Sequence, residues 1–350
     1  MITIGLILEP LDTLFFRGGR PFGASLPGES GLPTPQAFAG GIRTFLLEKA
    51  GANFEFMRGK TTPAEAFAAA GAPWISHASF RGPWLADIST GLAPKPYIYA
   101  PADVVLNGKQ PARLRPLRAR LPGWEPPEAG MLPLWLQGVR AGKDRPGWLT
   151  FDGLSTYLHD QALTPEHFQP ARNLYELEER TGITVDEHKQ AAGDRLIYST
   201  RALRLSRQVA FYGEADLPDH AVALFAGEET MSWGGERHHV VVRRVSPVRW
   251  PEAPASERIA ILLAAPAFFA ARWRPDALPA GKLIAAAVDG PFVVSGWDLA
   301  RRGPKPTRFG VEAGSVYFVE KQPLVAPLAA GEDAQLGYGH FLKGTWNYAQ

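Results

Sequence analysis

The sequence predicts an α+β fold built from two similar units, and three observations support this prediction. Short apolar strands alternate with amphipathic helical segments along the chain. Each half ends in a glycine-containing loop followed by a strand, with residues 234–235 preceding 240–245 and residues 337–339 preceding 341–348. Glycine (36) and proline (32) are abundant among the 350 residues, which predicts long ordered loops.

The first unit begins with a buried strand at residues 2–9. A threonine–proline pair then precedes apolar residues at helical spacing, which predicts a helix over 37–49. Residues 52–172 are rich in proline, glycine and tryptophan, so we expect a large insertion there. The remaining elements predicted for this unit are helices at 63–70 and 172–180 and strands at 182–186, 196–212 and 240–245.

A proline-rich link at residues 247–254 marks the boundary between the units. The second unit is predicted to be a shorter version of the first, with strands at 258–264, 283–288, 315–320 and 341–348. We expect two β-α-β-β-α-β modules of the ferredoxin (RRM-like) type with long Pro/Gly-rich insertions. The first would span residues 1–250, with its insertion at about 52–172, and the second residues 251–350.

The composition excludes several kinds of site and of protein. The chain has no cysteine, which rules out disulfides and thiolate chemistry. Its net charge of +2 does not by itself indicate a nucleic-acid partner. The evidence for such a partner therefore has to come from local clusters of cationic residues. The apolar start lacks the basic region of a secretory signal, and the most apolar later stretch is too short to cross a bilayer. We therefore expect a cytoplasmic protein with no membrane partner.

The opening segment, residues 8–22 (LEPLDTLFFRGGRPF), combines aromatic rings, arginines and a glycine pair. Single-stranded nucleic acid is held by base stacking on aromatic rings and by phosphate neutralisation. Neighbouring strand residues face opposite sides, so at least one of Phe15 and Phe16 is expected in the core. The predicted RNA-binding residues of this segment are Phe16, Arg17, Gly18, Gly19 and Arg20.

A second candidate loop is residues 234–239 (GGERHH). Backbone N–H groups of paired glycines can cradle a phosphate, and Arg237 adds positive charge. A histidine here would suit metal-free RNA cleavage, but no second acid or base is identifiable nearby. The residues predicted to contact RNA or another subunit are Gly234, Gly235, Arg237 and His238.

Further arginines are candidates for RNA contact. Residues 195–213 contain four arginines and no acid, and strand alternation places Arg204 on a polar face. Arg180 lies at the end of the predicted helix, where Gly182 would stop it. Basic stretches at 113–120 and 301–308 fit either RNA or a protein partner. The RNA-binding candidates of this group are Arg180, Arg195 and Arg204.

The sequence carries no positive enzyme signature. The acids that metal catalysis would need are scattered over separate segments, whereas two-metal sites need clustered carboxylates. Phosphate-binding loops, nucleophile elbows and zinc-protease motifs do not occur in the sequence. We therefore predict a protein with no catalytic residues, no metal and no cofactor.

Four segments together carry a resemblance to one known family. They are residues 8–22, residues 180–205 (RTGITVDEHKQAAGDRLIYSTRALRL), residues 234–239, and the pair SGWD and EAGSVYFVE at 295–298 and 312–320. The chain resembles the third RAMP-superfamily subunit of the type III-B CRISPR effector, the Cmr complex. This resemblance implies two RAMP domains and a non-catalytic subunit that binds the 5′ handle of the guide RNA (crRNA) in antiviral defence.

The resemblance also implies partners. They are the large polymerase-like subunit, which this chain would dock onto the backbone, the adjacent backbone RAMP subunit and, indirectly, the target RNA. Two alternatives stay open. One is a RAMP-type metal-free endoribonuclease that processes guide RNA, with His238 or His239 central. The other is a structural adaptor whose basic loops contact only protein.

Overall fold

The structure is a computed structural model. It describes residues 1–16, 28–60, 62–91, 93–119, 121–136, 138, 145–185, 192–236, 238–279, 281–298, 303–322 and 324–349. At residues 28–29, 181–185, 192–199, 297–298 and 304 the description covers the backbone only.

The helices of the described residues are α1 (Pro35–Lys49), α2 (Pro63–Ala69), α3 (Phe151–Leu158), α4 (Ala171–Leu174), α5 (Asp219–Val222) and α6 (Gly331–Leu336). Short 3₁₀-helices occupy Phe54–Met57, Pro73–His77, Pro165–His167 and Ala223–Phe225. The strands of the first 170 residues are β1 (Ile2–Pro10), β2 (Gly28–Glu29), β3 (Ser79–Asp87), β4 (Lys95–Pro96), β5 (Ile98–Tyr99), β6 (Val104–Asn107), β7 (Gln110–Arg113), β8 (Arg115–Pro116), β9 (Leu134–Trp135), β10 (Trp148–Leu149) and β11 (Phe168–Gln169). The strands that follow are β12 (Tyr175–Val185), β13 (Ala192–Leu205), β14 (Val209–Leu217), β15 (Glu228–Ser232), β16 (His239–Val245), β17 (Arg258–Leu263), β18 (Leu283–Ala287), β19 (Pro291–Asp298), β20 (Gly303–Val311), β21 (Val316–Glu320) and β22 (Phe341–Thr345).

The first unit is a sheet with the strand order β15-β16-β1-β14-β3-β4, in which all neighbours are antiparallel. Numbered along the chain, its four long strands β1, β3, β14 and β16 lie in the spatial order 4-1-3-2. Helix α1 covers one face of this sheet, with Phe38 and Ile42 fully buried against it. The helix begins where Thr34 accepts a hydrogen bond from the backbone N–H of Ala37.

The second unit repeats this strand order. Its sheet is β18-β21-β17-β22, again with antiparallel neighbours, so that β17, β18, β21 and β22 also lie in the order 4-1-3-2. The described part of residues 264–282 forms turns where the first unit has a helix, and α6 precedes the fourth strand. Both sheets are antiparallel with helices beside them, which confirms the predicted α+β class.

The two sheets face each other across a shared core. Side chains alternate along each strand, so Ile7 and Trp84 of the first sheet point toward Leu262 and Phe318 of the second. The Trp84 indole Nε1 donates a hydrogen bond to the carbonyl of Ala264 at 2.7 Å. Each sheet therefore buries one face against the other sheet and the opposite face under helices and loops.

Residues 52–172 are less irregular than predicted. Strand β3 lies within this range and pairs with β14, so it is an integral strand of the first sheet rather than part of an insertion. The residues after β3 form α3 and the small sheets β5-β10-β11, β6-β7 and β8-β9. The insertion is therefore narrower than the sequence indicated.

A buried ion-pair network anchors this insertion. Arg113 donates to Asp103 at 2.9 Å and to Asp160 at 2.8 Å, and its guanidinium stacks on the Tyr157 ring. Both Arg113 and Asp103 are buried. Arg113 therefore stabilises the insertion and cannot contact an RNA backbone. RNA contact was one of the two roles considered for the arginines at 113–120, and it is excluded for this one.

Two predicted elements are corrected by the structure. The helix expected over 172–180 is only the single turn α4, because the chain then becomes β12 and pairs with β13. Tertiary pairing here overrides the helical propensity of a glutamate-rich segment. The strand expected over 196–212 is two strands, β13 in this hairpin and β14 in the main sheet. No helix within the described ranges is long and apolar enough to span a membrane.

Candidate nucleic-acid interface

Three segments singled out in the sequence meet at one place. Leu14 follows β1 and exchanges two backbone hydrogen bonds with Leu203 of β13, both at 2.8 Å. From the other side, the backbone N–H of Gly235 donates to the carbonyl of Phe15 at 2.7 Å. Leu14 and Phe15 of the opening segment are thus held between hairpin β12–β13 and the glycine loop. We call this contact, formed by Leu14, Phe15, Leu203 and Gly235, the first junction.

The chain returns to the same hairpin after the opening segment. Strand β2 pairs in parallel with β13, and Ser30 N–H donates to the carbonyl of Arg201 at 2.8 Å. The Ser30 hydroxyl accepts a hydrogen bond from Phe16 N–H at 2.9 Å. Both flanks of residues 17–27 are therefore fixed on the hairpin. The predicted site residues Arg17, Gly18, Gly19 and Arg20 lie between these flanks, outside the described residues.

The two phenylalanines of the opening segment are packing residues. Phe15 and Phe16 are 6% and 8% exposed, and the Phe16 ring packs edge-on against Trp233 with ring centroids 4.9 Å apart. The expectation that at least one of them lies in the core is confirmed for both. The stacking role predicted for Phe16 is corrected, because its ring is already enclosed by protein and presents no face to a base.

Steric constraints explain why glycine occupies position 234 in the second loop. Gly234 adopts a φ of 86°, and a Cβ at this position would lie 2.9 Å from the carbonyl oxygen of Phe15. Only glycine combines this left-handed backbone with such a close approach. The N–H of Gly235, predicted to cradle a phosphate, already donates to Phe15. Arg237 lies outside the described residues.

His238 lies in the same loop and is largely enclosed. Its side chain is 15% exposed, and its Nε2 is buried without a hydrogen-bond partner among the described residues. The nearest carboxylate oxygen, from Glu236, is 4.0 Å away. Proton transfer between two groups needs hydrogen-bond distance, so Glu236 is not a positioned partner for acid–base chemistry in this arrangement.

Arg180 and Arg204 lie side by side on hairpin β12–β13 and share two acids. Asp12 lies 2.9 Å from Arg180 Nη2 and 3.2 Å from Arg204 Nη2. Glu178 accepts hydrogen bonds from the Nε of both arginines. We call these four residues the acid-paired arginine cluster.

The cluster is neutral overall and exposed to solvent. Its side chains are between 32% and 53% exposed. The hydrogen bond from Arg180 is the main cause that lowers the pKa of Asp12, and the one from Arg204 does the same for Glu178. An RNA phosphate would have to displace these carboxylates to contact the two arginines. The side chain of Arg195, on the same hairpin, is outside the description.

Sequence reasoning missed Asp12 and Glu178 as partners of these arginines. Glu178 and Arg180 are two positions apart, which places them on one face of a strand but not of a helix. The incorrect helix over 172–180 concealed this pairing. Asp12 was present in the opening segment, but only the fold brings it to the hairpin. Among the residues that the structure describes, no three His, Asp or Glu side chains are grouped to hold a metal ion.

The comparisons with known proteins assign the chain to a family. The family model for CRISPR-associated protein (Cas_Cmr3) matches residues 6–346, nearly the whole chain. The chain belongs to the Cas_Cmr3 family. This confirms the resemblance to the third subunit of the type III-B Cmr complex, and it makes the chain a component of a type III CRISPR effector.

Solved structures contain chains that are similar to this one, and the first of them, with a TM-score above 0.5, shares its fold. A chain of type III-B Cmr-beta bound to cognate target RNA and AMPPnP is 14% identical, with a TM-score of 0.52 over 90% of this chain and 86% of that one. A chain of Cmr-beta bound to cognate target RNA alone is 15% identical over the same shares, with a TM-score of 0.49. A chain of a Csm1-Csm4 cassette with AMPPNP covers 99% of both chains at 12% identity and a TM-score of 0.40. No curated protein matches the sequence.

Proposed function

We propose that the chain is the non-catalytic Cmr subunit that binds the 5′ handle of the guide RNA and docks the large polymerase-like subunit onto the backbone. The observation that carries this proposal is the first junction. It holds Leu14 and Phe15, which directly precede the arginines and glycines of residues 17–20 in the sequence, between hairpin β12–β13 and the glycine loop in a Cas_Cmr3 family protein. Single-stranded RNA is bound by such convergent loops through phosphate contacts and splayed bases.

The two units are proposed to be RAMP domains of the ferredoxin-like type. The strand order 4-1-3-2, repeated in two antiparallel sheets, supports this reading, because it is the order that a β-α-β-β-α-β module produces. A glycine loop before the fourth strand of each sheet supports it further. The absence of a helix after β17 in the described residues is the main departure from the complete module.

Affinity in this proposal comes from cations on the phosphates, and specificity comes from contacts with the bases. Arg17 and Arg20 are the principal candidates, since Arg180 and Arg204 are engaged by acids in the free chain. Phe15 and Phe16 contribute by fixing the flank of the opening segment. The bases of the handle must then stack on other surfaces.

The proposed setting is a cytoplasmic ribonucleoprotein. Its other members would be the large subunit, the adjacent backbone RAMP subunit and, through the guide, the target RNA. The Cmr-beta complex that contains a chain with this fold is bound to cognate target RNA, which supports an RNA-containing assembly.

Binding of labelled handle RNA to the purified full chain tests the proposal. We expect affinity that falls steeply between about 50 and 200 mM salt, and that weakens when Arg17 and Arg20 are both changed to Ala. The thermal midpoint should stay unchanged in this double variant. A chain without salt-sensitive affinity for the handle would instead support the protein-only adaptor.

A metal-free endoribonuclease is the second candidate. The buried Nε2 of His238 has no hydrogen-bond partner among the described residues, and it would have to become exposed to act on a 2′-hydroxyl. Repeat RNA incubated with the chain in EDTA separates the two candidates. A single cut made by the wild type and lost in His238→Ala would establish catalysis. RNA that stays intact and is bound by both the wild type and the variant supports the non-catalytic role.

A further inference from the structure

The second unit contains a counterpart of the first junction. Ala267 exchanges two backbone hydrogen bonds with Val311, at 3.0 and 2.7 Å, as Leu14 does with Leu203. Each of these loop residues lies four positions after the first strand of its sheet ends. Each partner lies near the end of the return strand of a hairpin, β20 in the second unit and β13 in the first. Both hairpins are inserted between the second and third strands of their sheets.

The glycine loops make similar contacts, although the acceptor precedes the bridging residue in the second unit and follows it in the first. In the second unit the N–H of Gly339 donates to the carbonyl of Pro266 at 2.8 Å, next to Ala267. In the first unit the N–H of Gly235 donates to Phe15, next to Leu14. We call the contact between Pro266, Ala267, Val311 and Gly339 the second junction.

The sequences that follow the two junctions are also alike. A Phe-Phe pair comes directly after the bridging residue in both units, at 15–16 and at 268–269. Two arginines and a proline then follow within six residues: Arg17, Arg20 and Pro21 in the first unit, and Arg272, Arg274 and Pro275 in the second. The two units therefore share a loop motif as well as a strand order.

We propose that the second unit carries its own contact with single-stranded RNA, made by Arg272 together with hairpin β19–β20. This inference rests on the proposed function, because it takes the first junction to be an RNA site. It adds a binding surface at residues that the opening segment, the first hairpin and the first glycine loop do not include.

Arg272 is presented in an unusual way. It is exposed, and its φ of 66° lies in the left-handed region, which costs energy for a residue with a Cβ. Among the described residues no acid pairs with it, whereas Arg274 donates to Glu128 at 2.6 Å. Strained backbone of this kind persists where the surrounding structure imposes it, and it is concentrated at functional sites.

Hairpin β19–β20 adds an aromatic ring and another cation. Phe309 is 59% exposed, and Lys305 on the same strand is also exposed. Arg308 is different, because it stacks on Phe268 and pairs with Asp333 at 2.6 Å. Phe309 pairs with Val293 and Lys305 with Gly296, so their side chains lie on opposite faces of the hairpin. Phe309 has a free face for a base, and Lys305 can meet a phosphate where the RNA strand passes to the other face. An exposed ring interleaved with cations is typical of single-strand binding.

The second hairpin adjoins the first unit at the start of α1. Gln36 Nε2 donates to the carbonyl of Ser295 in β19 at 2.9 Å. Gln36 lies only six residues after Ser30, the residue at which the chain returns from the opening segment to hairpin β12–β13. One RNA strand leaving the first junction can therefore continue onto the second hairpin.

A protein partner is the competing occupant of this face, since Phe309 lies opposite the apolar Val293. Two observations favour RNA. Arg272 and Lys305, which have no acid partner among the described residues, are both cationic, and the same construction recurs at the proposed RNA site of the first unit. A nucleic acid satisfies both features, whereas an apolar protein contact leaves the two charges unused.

Three variants of the full chain test the inference with 5′-labelled single-stranded RNA that extends beyond the handle. Arg272→Gly should weaken binding and reduce the slope of log affinity against log salt by about 0.7, the value for one lost phosphate contact. Its thermal midpoint should be unchanged or higher, because glycine relieves the left-handed backbone. Lys305→Ala should lower the slope similarly, and Phe309→Ala should weaken binding about fivefold or more through lost base stacking.

Lys321→Gly is the matched control. Lys321 is exposed, lies in the same unit and has a φ of 53°, so this change also removes one positive charge and relieves the same backbone conformation. It differs in breaking a surface ion pair, because Lys321 lies 3.5 Å from Glu257. It should bind RNA as the wild type does. Unchanged binding in Arg272→Gly and Phe309→Ala, while Arg17→Ala with Arg20→Ala still weakens it, would overturn this inference alone.

Two further outcomes also count against the inference. A wild-type chain without salt-sensitive RNA affinity would overturn both it and the proposed function. Variants that bind RNA normally but no longer copurify with partner subunits would assign the face to protein contact.

Discussion

At the scale of single residues, two acids control how the first hairpin presents its positive charge. Asp12 and Glu178 each contact both Arg180 and Arg204, so the paired arginines contribute little net charge in the free chain. The composition of residues 195–213, four arginines and no acid, gave the opposite impression. Strand alternation can reveal the Glu178–Arg180 pair from sequence, but the approach of Asp12 depends on how the loop after β1 folds back.

The substitution Asp12→Asn tests whether the two acids shield the arginines of the hairpin. The substitution removes a carboxylate that a phosphate must displace, so we expect affinity for single-stranded RNA of any sequence to rise about two- to fivefold. Fluorescence anisotropy at fixed salt measures the effect. The control is Glu252→Gln, which removes the charge of an exposed glutamate in the link between the units and should leave the affinity unchanged. Weaker binding by Asp12→Asn would mean that the cluster positions the hairpin for RNA rather than shielding it.

At the scale of elements, the sequence predicted correctly those helices and strands whose formation depends on nearby residues. The strand at 2–9 and the helix at 37–49 are confirmed as β1 and α1, because their apolar periodicity and capping residues lie in the sequence itself. The segment after residue 174 was misassigned because its glutamate-rich sequence favours a helix, whereas pairing with β13, the next strand of the same hairpin, makes it a strand. Loops fixed by distant backbone contacts, such as both junctions, are invisible to periodicity.

The glycine loop offers a matched pair of substitutions within one element. Gly234→Ala forces a Cβ into left-handed backbone and toward the Phe15 carbonyl, so it should lower the free energy of unfolding by about 1–3 kcal/mol. At Gly235 the nearest atoms to a Cβ are 3.5 Å away and no positive φ is needed, so Gly235→Ala should change stability by less than about 0.5 kcal/mol. Urea denaturation compares them, and equal midpoints would refute the steric reading of Gly234.

At the scale of the whole molecule, the sequence indicated duplication but not the packing between the copies. The glycine loop before the last strand marks both units, and the strand order in the structure extends this similarity. The shared core was not predictable, because apolar residues on alternating strand positions, such as Ile7 and Leu262, do not reveal which surface will cover them. Both faces of each sheet are buried, and only the tertiary structure distinguishes them.

His340 makes the packing between the units sensitive to pH. Burial lowers its pKa to about 4, and its ring lies near that of Trp84 in the shared core. The unfolded chain takes up a proton as pH falls through about 6.5, while the folded chain does not until about pH 4, so the folded state loses stability across this interval. We expect the melting temperature to fall less between pH 6.5 and about pH 5 in His340→Gln than in the wild type. Parallel pH profiles for the two proteins would rule out this origin.

The link between the units has a mechanical consequence. Val248 N–H donates to the Tyr212 hydroxyl at 2.8 Å, and Trp250 donates to Glu214 at 3.0 Å, so the proline-rich link is fastened to the first sheet. With a fastened link and a common core, the distance between the two junctions is set by the protein. If both junctions bind RNA as proposed above, this fixed spacing sets the minimum length of strand that can reach both contacts.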